Sequence, residues 1–195
     1  IAIVKYKDNE NFTRKISSTC NARVIWGGDK TINDLRSYQI NERAIDLTFA
    51  DRYSFCVINL DKLQKLSELD FNTLIKKFYN DTYLVDQNAC SSPHLIVWIG
   101  EPNKKLKEKF WQKLYENIKT KYDLSDSAVI EKYSELCKYA ASLKNIKNIK
   151  SYSNLIYKIN LKNIDHENHL NRGKWGLFFE HEVKDLNKIA KIINN

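Results

Sequence analysis

The strongest constraint on the fold is the segment HLIVWIG at residues 94–100, which is almost entirely apolar. A strand without alternating polar residues is buried on both faces, and such strands occur mainly in parallel sheets covered by helices. Pro93 ends any helix that precedes this segment. The sequence therefore predicts an α/β protein with this strand in its core.

Apolar runs that suggest strands alternate with amphipathic segments along the rest of the chain, which is the α/β pattern. The other predicted strands are residues 1–6, 23–26, 44–49, 53–60, 155–161 and 176–183. A polar loop is predicted directly after the strand at residues 1–6. The predicted helices are residues 31–40, 60–79, 103–122, 127–143 and 185–194. In the third of these helices, Phe110, Leu114 and Ile118 share one stripe, so we expect this helix to lie on a sheet.

Gly27 and Gly28 separate a short strand from the first predicted helix. Thr31 and Asp34 have the spacing of a capping box, which predicts that the helix begins there. Strand, glycine pair and helix form half of a βαβ unit. A plain tight turn explains the glycine pair equally well, so the pair alone does not identify a binding site.

Composition excludes several classes of protein. Net charge is +8, but the lysines are interleaved with Asp and Glu, which favours a solvated surface over a nucleic-acid interface. No apolar run reaches the roughly 18 residues of a membrane-spanning helix. The four cysteines form no CxxC pair, so we expect free thiols. These features predict a soluble, cytoplasmic protein that does not bind nucleic acid and has no membrane span.

Cys90 differs from the other three cysteines in its sequence surroundings. Cys56 and Cys137 are predicted to be buried as small hydrophobic side chains, in a strand and on the apolar side of a helix. Cys90 lies at a junction between elements, next to Asn88 and two serines, where main-chain amides could lower the pKa of its thiol. The residues alone leave a nucleophile and an inert loop cysteine equally open.

Four segments, in this order and spacing, resemble the bacterial long-chain acyl-CoA reductase family, which includes the reductase subunit of the luminescence fatty acid reductase complex. The segments are VIWGGDKTINDLR, DLTFADRYSFCVI, DTYLVDQNACSSPHLIVWIGE and RGKWGLFFEH. The family is a branch of the aldehyde dehydrogenase superfamily. The resemblance implies NADPH-dependent reduction of a long-chain acyl-CoA or acyl-protein thioester to a fatty aldehyde, through an acyl group on a cysteine.

The resemblance also assigns roles to residues. Cys90 matches the catalytic cysteine, and its main-chain N–H with the Asn88 side chain would hold the oxyanion. Gly27 and Gly28, together with Trp175 and Gly176, match positions that contact the cofactor. The resemblance leaves NADPH against NADH open, because the strands that would decide it are not in this sequence.

Two positions depart from the superfamily pattern. Thr48 stands where hydrolytic members carry a glutamate that activates water, which is consistent with a reductase that must not hydrolyse its acyl-enzyme. Gly173 stands where a glutamate would hold the nicotinamide ribose, although Trp175 and Gly176 still fit the adjoining pattern. Ribose contacts therefore do not carry over.

The family pattern implies an aldehyde dehydrogenase-like catalytic domain at residues 50–195, preceded at residues 1–49 by the last strands of a Rossmann-like cofactor domain. The sequence has no methionine and opens directly in an apolar run, so we expect a segment of a longer protein. Residues 1–195 alone are expected to show no reductase turnover. The resemblance further implies a homo-oligomer that can associate with an acyl-protein synthetase subunit.

Other chemistries remain as alternatives. Cys90 and His94 could form a Cys-His dyad, but His94 opens a strand and is expected to pack. His166 and His169, with His181, have a loose metal spacing without a completing ligand, so we expect no metal. A non-catalytic oligomerisation or docking segment, or a cysteine acyltransferase or thioesterase without cofactor, are the competing functions.

Overall fold

The computed structural model describes residues 3–7, 9–187 and 189–190, which form two compact units that divide between Arg52 and Tyr53. The elements of the first unit are α1 (Glu10–Thr19), β1 (Ala22–Trp26), α2 (Asp29–Arg36) and β2 (Ile45–Phe49). β1 and β2 are paired in parallel, and α2 connects them. The half βαβ unit expected from the sequence is therefore completed by β2.

The start of the first unit differs from the prediction in three ways. The expected strand at residues 1–6 is wrong for residues 3–6, which have no regular secondary structure, while Ile1 and Ala2 lie outside the described residues. The expected polar loop contains α1, which the Asn9 side chain caps by accepting a hydrogen bond from the Phe12 N–H. The capping box is also wrong, because α2 begins at Asp29 with Gly28 as its N-cap.

The second unit contains a mixed five-stranded sheet flanked by helices. Its elements are β3 (Ser54–Asn59), α3 (Leu60–Gln64), α4 (Glu68–Thr82), β4 (Pro93–Ile99), α5 (Lys104–Ile118), α6 (Asp126–Ser142), β5 (Ile146–Tyr152), β6 (Ile156–Leu161) and β7 (Leu177–Val183), with short 3-10 helices at Tyr83–Val85 and His166–Leu170. The strand order is β3-β4-β7-β6-β5, and every pair is parallel except β5 with β6. The predicted α/β class is confirmed.

β4 is buried on both faces, as its composition predicts. Ile96 and Trp98 pack into one apolar cluster with the α4 and α5 side chains, and Leu95 and Val97 pack into a second cluster on the opposite face. All four side chains are at most 4% exposed. The apolar stripe of α5 is confirmed in the first cluster, so this helix lies on the sheet as expected.

Three other expectations for this unit need correction. The single helix at residues 60–79 is two helices, because Ser67 caps a new helix at its Asp70 N–H. β5 was not predicted, since it is a largely exposed edge strand that carries lysines. Cys137 is exposed and is not on the buried side of α6. The predicted helix at residues 185–194 lies partly outside the described residues.

Across the described residues, no helix combines the length and apolar character that a membrane crossing needs.

Arg23 connects the elements of the first unit. Its guanidinium forms a bidentate ion pair with Asp46 on the neighbouring strand, at 2.9 and 3.0 Å, and donates to the carbonyl oxygens of Leu35 and Tyr38. The hydrogen bonds from Arg23 hold the pKa of the Asp46 carboxyl below its ordinary value. One side chain therefore ties β1, β2 and the end of α2 together.

Replacing Arg23 should loosen this unit selectively. Arg23→Gln removes the bidentate pair and leaves Asp46 with only the longer contact to Arg36, at 3.5 Å, so we expect the unit to lose about 2 kcal/mol of stability. Native-state hydrogen exchange of the β1 and β2 amides measures the loss. Arg14→Gln, on the exposed helix α1, is the control and should change exchange little. Unchanged β1 and β2 exchange in Arg23→Gln would contradict this role.

Candidate functional site

The candidate site is the loop that carries Cys90 between the 3-10 helix at Tyr83–Val85 and β4. Asp86 and Gln87 open the loop in the left-handed conformation, with φ of 54° and 58°. This conformation turns the chain sharply away from the 3-10 helix. Cys90 follows at the surface, at the amino end of the buried strand.

Hydrogen bonds hold the chain at the Cys90 carbonyl and at Ser92, while Cys90 itself is exposed. The Ser54 hydroxyl donates to the Cys90 carbonyl oxygen at 2.7 Å. Ser92 is fully buried, and its hydroxyl donates to the Asp81 carbonyl oxygen at 2.6 Å. A fixed backbone beneath an accessible side chain is the arrangement that a positioned nucleophile requires.

The two groups expected to hold an oxyanion are available beside the thiol. In the described part of the chain, no residue accepts a hydrogen bond from the Cys90 main-chain N–H. Asn88 is exposed; its main-chain N–H donates to the Val85 carbonyl oxygen, and its side chain forms no hydrogen bond with a described residue. Neither donor is occupied within the described residues, so both stay candidates for holding an oxyanion.

Gln87 is a site residue that the sequence analysis missed. It is 1% exposed, and its side-chain amide donates to the carbonyl oxygens of Pro93 and Leu177 at 3.0 and 3.1 Å. Its side-chain oxygen accepts from the Gly176 N–H at 3.0 Å. Gln87 thus joins the Cys90 loop to β4 and to the turn before β7. The signal available in the sequence was the position of Gln87 in the unusual polar run DQNACSS.

The turn at Trp175 and Gly176 lies against the Cys90 loop. The Trp175 N–H donates to the Asp86 carbonyl oxygen at 3.2 Å, and the two residues have φ of 53° and 88°. A Cβ at Gly176 would lie 2.3 Å from the Leu155 carbonyl oxygen and 2.4 Å from the Tyr83 hydroxyl. This close approach requires glycine, and it brings two predicted cofactor positions to the same loop as Cys90.

Lys132 holds the other side of this turn. Its ammonium group is buried and donates to the carbonyl oxygens of Trp175, at 2.8 Å, Leu155, at 3.3 Å, and Asn154. Burial lowers the pKa of Lys132 to about 7. Lys132 therefore fixes the Trp175 turn through carbonyl groups, with no carboxylate of the described ranges within ion-pair distance.

Gly173 and His94 meet behind the turn. A Cβ at Gly173 would lie 1.7 Å from the Leu177 carbonyl oxygen, so a glutamate does not fit this position in the present backbone. His94 is buried, its Nδ1 is 3.0 Å from the Gly173 carbonyl oxygen, and its ring stacks on Tyr53. These contacts support a packing role for His94.

Gly27 and Gly28 lie in the first unit, at the start of α2. Gly28 is the N-cap and supplies no side-chain cap, and a Cβ placed there would meet no atom within 4 Å. The first amides of α2 therefore remain open to a ligand group, which is the requirement for an anion at a helix N-terminus. Thr48 lies on β2, opposite Ile25 of β1.

The remaining candidates do not form sites. Cys56 is only partly accessible, and burial raises the pKa of its thiol to about 12. The Nδ1 atom of His169 contacts the His166 carbonyl oxygen, and the Nδ1 atom of His181 contacts the Leu161 carbonyl oxygen. The two histidines lie on separate elements, and each Nδ1 already has a main-chain partner. No group of three or more His, Cys, Asp or Glu side chains in the described ranges is arranged to hold a metal ion.

Gln87 should control the order of the Trp175 turn. Gln87→Glu keeps the acceptor for the Gly176 N–H but replaces the side-chain NH2 with a carboxylate oxygen that faces two carbonyl oxygens. We expect a loss of about 3 kcal/mol and an increase of about 100-fold in hydrogen exchange at Gly176. Asn88→Asp, at the exposed neighbour, is the matched control. Equal exchange at Gly176 in the two variants would show that Gln87 does not hold the turn.

Lys132 should make stability depend on pH. Between pH 7 and its ordinary value of 10.5, the unfolded chain binds a proton that the folded protein lacks, so stability rises with pH. From pH 6.5 to 8.5 this group should contribute about 2 kcal/mol. Chemical denaturation across that range should show a smaller rise in Lys132→Met than in the protein itself. Lys138→Met, on the exposed face of the same helix, should retain the full rise, and a loss there too would contradict the assignment.

Solved structures with similar folds are aldehyde dehydrogenases. One is aldehyde dehydrogenase 21 from Physcomitrella patens in complex with succinate, at a TM-score of 0.61 and 11% identity over 96% of this chain and 40% of that one. Another is betaine aldehyde dehydrogenase from Staphylococcus aureus in complex with NAD+, at a TM-score of 0.56 and 14% identity over 93% of this chain and 39% of that one. These similarities establish the fold, and the chain spans about 40% of the length of these proteins.

No curated protein sequence matches the chain. A family profile described as acyl-CoA reductase (LuxC) matches residues 1–191, nearly the whole chain. The resemblance carried by the DQNACSSPH loop is thereby confirmed across both units, and the chain belongs to the acyl-CoA reductase (LuxC) family.

Proposed function

We propose that this chain carries the catalytic part of an enzyme that reduces a long-chain acyl-CoA or acyl-protein thioester to a fatty aldehyde. The observation that carries the proposal is the Cys90 loop: an exposed thiol, on a main chain fixed by Ser54 and Gln87, with a main-chain N–H that donates to none of the described residues. Membership of the acyl-CoA reductase family supports the thioester as substrate class.

In the first step, the Cys90 thiolate attacks the carbonyl carbon of the thioester. The oxyanion that forms is held by the Cys90 N–H and the Asn88 side chain. The carbon–sulfur bond to the leaving thiol then breaks, the leaving thiolate takes up a proton, and the acyl group remains on Cys90 as a new thioester. Each role uses a group that is accessible at the loop surface.

A reduced nicotinamide cofactor, when bound, supplies the hydride that converts the acyl group to an aldehyde and frees the Cys90 thiolate. The chain's own part is to hold the acyl group and to avoid hydrolysing it. Thr48, which takes the position of the hydrolytic glutamate in the superfamily pattern, has no basic group to activate water. The absence of that base fits an enzyme whose acyl intermediate must survive until reduction.

We propose NADPH as the cofactor, with Gly27 and Gly28 at its phosphates and Trp175 and Gly176 at its nicotinamide end. The uncapped start of α2 and the open space at Gly28 fit a phosphate group. The bound NAD+ of the Staphylococcus aureus enzyme supports a nicotinamide cofactor for this fold. Because a glutamate does not fit at Gly173, the ribose would have to be held by other residues.

The first unit fits the proposed role of a partial cofactor domain, with the boundary between residues 49 and 50. One face of its two-stranded sheet is apolar and exposed, with Trp26 stacked on Phe49 at 5.0 Å and 79% exposed. Such a face is typical of a surface that other protein covers. We further propose a cytoplasmic homo-oligomer that associates with an acyl-protein synthetase subunit, as the family resemblance implies.

Acylation of Cys90 is the direct test. After incubation with a long-chain acyl-CoA, intact-mass measurement should show one acyl adduct on the protein, which disappears in Cys90→Ala. Cys137→Ala removes the other exposed thiol and should keep the adduct. In the full-length protein, Cys90→Ser should lower NADPH-dependent aldehyde formation by at least about 10³-fold.

Four outcomes would reject the proposal in favour of an alternative. An adduct that persists in Cys90→Ala places the acylated group elsewhere. Release of free fatty acid without NADPH consumption indicates a thioesterase, and transfer of the acyl group to another acceptor indicates an acyltransferase. No adduct and no turnover in the full-length protein indicate a docking or oligomerisation segment.

A further inference from the structure

A lysine-rich cavity of about 310 Å³ opens at the edge of the second unit's sheet away from Cys90. Five lysines line it: Lys104, Lys107, Lys147, Lys150 and Lys158. The cavity lies where α5 leaves the carboxyl end of β4, whereas the Cys90 loop enters the amino end of the same strand. Crevices at the carboxyl ends of parallel strands are common ligand sites in α/β proteins. The cavity is therefore separate from the proposed catalytic site.

Three carboxylates also line this lysine cavity, but each has its own partners. Glu180 is buried and accepts hydrogen bonds from the Trp98 and Trp111 indoles, at 3.0 and 3.1 Å, and from the Asn160 amide, at 3.2 Å. Glu182 pairs with Lys107. Glu108 accepts from the Tyr152 hydroxyl at 2.6 Å and pairs with Lys150 at 3.3 Å. Five lysines against three carboxylates leave a surplus of positive charge in the cavity.

Lys158 provides the buried cation of the site. Its side chain is 4% exposed, and its Nζ lies 3.5 Å from Glu108 and 3.8 Å from Glu180. Charge-assisted hydrogen bonds are normally about 2.8 Å, so neither carboxylate satisfies the ammonium hydrogens at close range. Burial, with smaller effects of Lys150 and Lys107, lowers the pKa of Lys158, while the two glutamates oppose that shift. An anion in the cavity would stabilise the charged form.

Lys104 and Lys147 stand at the rim. Both are exposed, and neither forms an ion pair with a described residue. They approach the cavity from different elements, since Lys104 begins α5 and Lys147 lies on β5. Lys104 and Lys147 can therefore contact a ligand with several negatively charged oxygens from two sides, and Lys158 can contact it from the base of the cavity.

We propose that the lysine cavity binds a phosphate-bearing anion. Phosphate presents several charged oxygens to separate ammonium groups, and its charge of about −1.5 to −2 at neutral pH is opposite in sign to the surplus of two lysines and similar in size. The cavity volume lies at the lower end of the range for small-molecule sites, so it admits a phosphate group with a small attached moiety. Free orthophosphate and a phosphate ester are the two sources of this chemistry.

The test is stabilisation by orthophosphate at pH 7.5, compared with chloride at the same ionic strength. At a phosphate concentration about ten times Kd, we expect the unfolding midpoint to rise by roughly 3–6 °C. The double variant Lys104→Gln/Lys147→Gln should weaken binding at least about tenfold, as should Lys158→Met, with folding checked by circular dichroism. The control Lys76→Gln/Lys77→Gln makes the same charge change on the exposed face of α4 and should bind as the parent protein does.

Titration of coenzyme A in parallel separates the two sources. Tighter binding than orthophosphate, lost in the rim variant, assigns the site to a phosphate ester, whereas equal or weaker binding assigns it to free phosphate. No stabilisation beyond that of chloride would overturn the proposal. Equal phosphate binding by the rim variant and the parent protein would overturn it too, because the effect would then arise from the general positive surface.

Discussion

The burial of β4 on both faces is the constraint on which the second unit depends. Trp98 and Ile96 need one apolar layer, and Val97 and Leu95 need another, so helices must cover the sheet on both sides. The strand also needs hydrogen-bonding neighbours at both edges, which β3 and β7 supply in parallel. Because such a strand cannot shift without exposing its core side chains, the positions of both of its ends are well defined.

The two ends of β4 serve different purposes because different groups meet them. At the amino end, Gln87 uses its side-chain amide to satisfy backbone groups of β4, β7 and the Trp175 turn, and the left-handed residues beside it are held in place by these bonds. At the carboxyl end, charged side chains gather around a cavity. A rigid strand thereby separates a proposed covalent site from a proposed anion site.

Two buried lysines of this unit, Lys132 and Lys158, have different electrostatic surroundings. Lys132 has carbonyl oxygens around it and no carboxylate within ion-pair distance among the described residues, so burial acts on it fully and lowers its pKa. Lys158 is buried to a similar degree, but Glu108 and Glu180 offset much of the desolvation. The first therefore titrates near neutral pH, whereas the second has two carboxylates beside it that favour its charged form.

The sequence by itself determined the elements whose signal is local. The apolar HLIVWIG run predicted a strand that is buried on both faces. The apolar stripe of α5 predicted which side of that helix packs on the sheet, and the DQNACSSPH loop pointed to the family. The sequence did not predict α1 or the edge strand β5, because both carry mostly exposed residues. It wrongly predicted that Cys137 is buried, because the apolar pattern of α6 does not mark the buried face of that helix. Only the tertiary structure decided that Gln87 binds groups up to 90 positions away, that Lys132 lies among three carbonyl oxygens, and that five lysines share a cavity. Those relationships join residues far apart in the chain, and their energies depend on burial, which no local pattern encodes.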